Sequence, residues 1–138
     1  MFTEIELHLL SKLLHKVKYS DLDAYELNEF ANSPITNEIL NKLNTPEKLK
    51  RIEEFHVRNP NVKRFCFEFD NEVGVVIRKR LESMSENDFH VISNWSDLQT
   101  EKFALDILGP IEFEKEELEK LKVYIKSLPE KKPAGNSG

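Results

Sequence analysis

An α+β domain is what this sequence predicts: about four N-terminal helices, then a small antiparallel β-meander, closed by one or two C-terminal helices. Apolar residues recur at three- and four-residue spacing through the first part of the chain, behind residues that start helices. At Phe65, Phe67 and Phe69 the spacing becomes strictly alternating, and after Ser96 it turns helical again. Helices and strands grouped in this way are segregated rather than alternating as βαβ units.

The first helix is expected over 3–17. Thr3 and Glu6 make a capping box, each side chain taking a backbone N–H that the helix leaves unpaired. Ile5, Leu9, Leu10, Leu13, Leu14 and Val17 supply its apolar stripe. A second helix is expected from Ser20 to about Asn32. Ser33-Pro34 and Thr45-Pro46 each place a cap before a proline at the first helical position, where the missing N–H costs nothing. Ile35, Ile39, Leu40 and Leu43 then face inward on the third helix, and Leu49, Ile52 and Phe55 on the fourth, which must stop before Pro60.

The alternation of Phe65, Phe67 and Phe69 with Arg64, Cys66 and Glu68 predicts a half-buried strand with the three rings inward. Asp70-Asn71-Glu72 reads as a turn into a second strand, with Val73, Val75 and Ile77 on one face. Phe89 to Ile92 reads as a third strand, reached through the polar connection Glu82–Asp88. Connections this short can join only antiparallel neighbours. Ser96 and Gln99 offer another capping box, for a helix ending at Gly109-Pro110, although 103–108 could also pair as a strand. The last helix runs from Glu114 to Ser127, with acids crowding its first turn, where the helix dipole favours them. Residues 1–129 are expected to form one domain, and 130–138 a mobile tail or an expression remnant.

Charge is unevenly spread. Residues 1–47 carry net −4, 48–80 net +4 and 81–138 net −5, which sum to the overall −5. The single cysteine, Cys66, allows no intrachain disulfide, no apolar run is long enough to span a membrane, and no leader pattern opens the chain. A cytoplasmic location is the expectation.

Four glycines, none in a glycine-rich loop, leave no phosphate cradle of the P-loop or dinucleotide kind. His8 and His15 share a helical face but stand about 10 Å apart, too far to share one zinc ion. Neither a cofactor nor a metal site is expected. Cys66 has no local activating feature and reads as a small apolar residue of the sheet. No catalytic residue can be named.

Two groups of residues could meet a partner. Arg64, Arg78 and Arg80, brought together by a hairpin, could bind an anion, or could simply be a solvated sheet face. Glu114, Glu116 and Glu117, with Trp95 as an apolar anchor, could meet a basic protein, although Trp95 could equally be a core edge. The expected function is a non-catalytic protein-binding module, in its concrete form a small acidic inhibitor of the immunity or antitoxin kind that covers a basic cleft of a toxin or nuclease. The alternatives are a nucleic-acid-associated regulator using the basic segment 48–80, which the overall charge makes the weaker case, and a small enzyme whose site no spacing reveals.

Overall fold

A computed structural model of the chain describes residues 1–130; the predicted tail beyond Glu130 lies outside the described residues. The N-terminal third folds largely as its caps dictate. Helix α1 spans Glu4–Tyr19 behind the Thr3/Glu6 capping box. Ser20 ends this helix instead of starting the next, its N–H donating to the Lys16 carbonyl, and Asp23 caps α2, Ala24–Ala31. Ser33 and Thr45 cap α3, Pro34–Leu43, and α4, Pro46–Arg58, each with proline in the first turn.

The predicted antiparallel meander is absent. Among the described residues the sheet is two strands of two residues each, β1 (Cys66–Phe67) and β2 (Glu112–Phe113), and they pair in parallel. The segment expected as a second strand is helix α5, Glu72–Glu82, and the expected third strand is helix α6, Glu86–Ser93. Helix α7, Asp97–Leu108, confirms the helical option for 103–108, and α8, Lys115–Ser127, runs into a 3-10 turn, Leu128–Glu130. Helices α5, α6 and α7 together form the crossover that a parallel pair requires.

The physical reason lies in spacing and caps. Val73, Val75, Val76 and Ile77 favour strands by β-branching, but that preference is weak and yields to packing. Ile77 and Leu81, four apart, are both buried, so burial follows the helical period. The Asn71 side chain accepts from Gly74 N–H at 2.9 Å and starts α5 where a turn was expected. Ser85 and Asp88 form a capping box within the supposed connection, with Asp in the place usually held by Glu. The three-ring register fails with the strand. Phe67 is 1% exposed and Phe69 packs half-buried on the core, whereas Phe65 is 76% exposed.

The main core joins Phe67 to Ile77, Leu81, Phe89, Ile92, Leu108, Leu121, Ile125 and Leu128, all from β1 onward. The N-terminal helices lie over this body and are pinned to it by side chains. Asn37 donates from Nδ2 to the Asp106 carbonyl at 2.8 Å, and Asn28 to the Arg80 carbonyl at 3.2 Å. Helix α4 buries no residue at all. No helix of the described residues is long and apolar enough to cross a membrane.

Two buried charges are internally compensated. Glu6 accepts from Lys42 Nζ at 2.6 Å and from Thr3 N–H at 2.7 Å, and these bonds, Lys42 first, hold its pKa below the ordinary 4.5. Lys122 is opposed by burial, but Asp97 and Glu101, at 3.3 and 3.4 Å, outweigh that and raise its pKa. A lowered carboxylate pKa stabilises the fold above the unfolded value, and that contribution disappears as pH falls through the folded value. Lys42→Met should therefore melt lower than wild type at pH 7, and the gap should close as pH is taken well below 4.5. A gap that stays constant down to pH 3, measured by thermal unfolding, would mean that the pair does not carry the difference.

Candidate functional site

The structure disperses the predicted acidic contact surface. Glu114 is the N-cap of α8 without a side-chain cap bond, and both it and Glu116 are exposed. Glu117 is half-buried and used internally: it accepts from Phe69 N–H at 2.8 Å and from Lys120 Nζ at 3.0 Å, in that order the causes of its lowered pKa. Trp95 stands away from that turn, after α6, its ring centroid 5.0 Å from that of Phe103.

The three arginines do not form one anion site either, because the hairpin that was to unite them does not exist. Arg64 bonds both carboxylate oxygens of Glu53 at 2.7 Å. The Arg78 guanidinium lies 4.6 Å from the centroid of the Phe69 ring and 3.6 Å from the Asp70 carboxylate. Arg80 is half-buried, and among the described residues it makes no ion pair. Arg64 and Arg80 line a common groove, and Arg78 does not.

Two clefts of opposite character emerge. The first, about 530 Å³, lies where α2 faces α6, Trp95 and the middle of α7. Tyr25, Trp95 and Phe103 supply aromatic surface, and Glu26, Glu29 and Asp88 supply carboxylates, against one lysine, Lys16. Asp88 is committed to its capping box. Lys16 Nζ stands 4.0 Å from Glu26 and 3.8 Å from Glu29, whose pKa is lowered by Lys12 and then by Lys16. Asn28, also in the lining, has a buried Oδ1 with no hydrogen-bond partner among the described residues. Aromatic faces and carboxylates suit a cation that carries N–H donors.

The second cleft is a groove of about 820 Å³ between α4 and the body. Leu49 and Ile52 of α4 face Val73, Val76 and Ile77 of α5, with Ile107 and Ile111 beyond. Its charged lining is Lys48, Arg64 and Arg80 against Glu72 and Glu112, one positive charge in excess. Sequence spacing identified the apolar stripe of α4 but not that it borders an opening. Asn28 carried no sequence signal at all, since its place in the cleft depends on α2 packing against α5.

Cys66 sits half-buried in β1. Burial, then the Glu68 carboxylate, pushes its thiol pKa upward, the reverse of nucleophile activation. No cluster of His, Cys, Asp and Glu able to hold a metal ion occurs among the described residues. Compared with protein-family models, curated proteins and solved structures, the chain matches none.

Proposed function

We propose that this protein is a non-catalytic protein-binding module that takes a basic segment of its partner into the cleft at Trp95. The observation that carries the reading is the lining of that cleft: the rings of Tyr25, Trp95 and Phe103 with the carboxylates of Glu26, Glu29 and Asp88, against one lysine. The Lys16 ammonium, close to Glu26 and Glu29, illustrates the kind of group that fits there. An arginine or lysine of the partner would compete with it, gaining aromatic contact and the Glu26 and Glu29 carboxylates. Arginine suits the site better, because a planar guanidinium stacks on rings and donates along several directions at once. The net charge of −5 would speed capture of a basic partner and make that capture sensitive to salt. An inhibitor of the immunity or antitoxin kind, covering a basic cleft in a toxin or nuclease, is the specific form this function takes in our reading.

Charge reversal tests it. Glu26→Lys with Glu29→Lys should abolish retention of a basic protein that wild type retains at low salt, whereas Glu114→Lys with Glu116→Lys should weaken it only by slowing association. The opposite ranking would return the contact to the first turn of α8. A parallel titration with single- and double-stranded oligonucleotides separates the competing reading. Sub-micromolar binding that Arg78→Ala and Arg80→Ala abolish would replace the protein partner with nucleic acid.

A further inference from the structure

We propose that the groove beside α4 is a binding site for a free long-chain carboxylate, its acyl chain on the apolar floor and its carboxylate on Arg80. This site is separate from the cleft at Trp95 and does not rest on the function proposed there. Three observations support it. The volume of about 820 Å³ falls within the range of sites for small ligands, roughly 300–1,000 Å³, and well-formed ligand sites are mostly apolar with few polar groups. Along α5, Val73, Val76 and Arg80 all line the groove, so a guanidinium stands about 10 Å along the helix from the apolar start of that face. A chain laid along this face ends at a cation.

One cation of the lining stands out. Arg80, half-buried, pairs with no carboxylate among the described residues, whereas Arg64 is already held by Glu53. His56, on the α4 wall, lines the same groove. A half-buried guanidinium is partly stripped of water, and an entering carboxylate would give it charge-assisted hydrogen bonds. The apolar walls account for the rest of the ligand: Leu49 and Ile52 face the opening half-exposed, and each methylene buried against them adds to affinity. A neutral amphiphile would gain the methylenes and leave Arg80 unpaired, and a cationic one would be repelled.

Dodecanoate and dodecanol, titrated below micelle-forming concentrations and followed by backbone amide NMR, test the assignment. Dodecanoate should shift the amides of Ile52, Val73 and Val76 while leaving the Trp95 indole N–H in place. It should bind between about tenfold and a hundredfold more tightly than dodecanol, the worth of a hydrogen-bonded charge. Arg80→Gln should reduce dodecanoate to the affinity of dodecanol, Arg80→Lys should retain part of the difference, and Val76→Asp should abolish binding of both. Equal affinities in wild type, an unchanged dodecanoate affinity in Arg80→Gln, no binding, or shifts confined to the Trp95 cleft would each overturn the proposal. The wild-type comparison and shift map stand even where a variant fails to fold.

Discussion

Gly74→Ala should lower the melting midpoint by about 10 °C or more, the effect of some 3 kcal/mol in a domain of this size. Gly74 lies in the first turn of α5, where alanine would ordinarily favour the helix by about 1 kcal/mol. Here the added Cβ would stand 2.2 Å from the Phe69 carbonyl oxygen and 2.3 Å from that of Glu68. Both are backbone atoms, so no rotamer change gives relief. The 68–69 segment would have to move, yet Glu117 holds it through the Phe69 N–H and β1 directly precedes it. A midpoint within 2 °C of wild type would show that α5 does not approach this backbone so closely.

Phe67→Ala should cost about 3–5 kcal/mol, as truncation of a fully buried aromatic does. Phe65→Ala, two residues away, should stay within about 0.5 kcal/mol, because that ring is 76% exposed. Chemical denaturation of the pair separates two registers: a continuous half-buried strand requires similar costs at both positions, whereas the short β1 requires a large cost at one alone.

The N-terminal helices were legible because their signals are local. Thr3, Ser33 and Thr45 announce helix starts within three residues, and the spacing of Leu and Ile carries each helix onward. From Phe65 to Ile92 the local signals conflict. A run of β-branched residues and three alternating rings reads as sheet, while Asn71, Ser85 and the buried Ile77–Leu81 pair follow the helix. Contact with the rest of the core decides between them, and β2, the only strand that β1 pairs with among the described residues, lies some 45 positions along the chain.

The candidate contact residues were legible in chemistry more than in place. Trp95 was a candidate anchor, and carboxylates do stand beside it, but they come from α2 and α6 rather than from the first turn of α8. Glu117 illustrates why composition misleads: its charge looks available in the sequence, yet it is engaged by a backbone N–H 48 residues away. Arg64 and Arg80 share a groove without any hairpin, because the segment just before β1 and helix α5 both line it.

A basic side chain seated in the Trp95 cleft would be reported directly by a side-chain amide of its lining. Short peptides that differ only in one central residue, arginine, norleucine or glutamate, should be titrated while the Asn28 side-chain amide and the Trp95 indole N–H are followed by NMR. The arginine peptide should shift both signals saturably, with an affinity that weakens as salt is raised, and Glu26→Lys with Glu29→Lys should abolish the shifts. Equal shifts from all three peptides, or none from the arginine peptide, would contradict that seating.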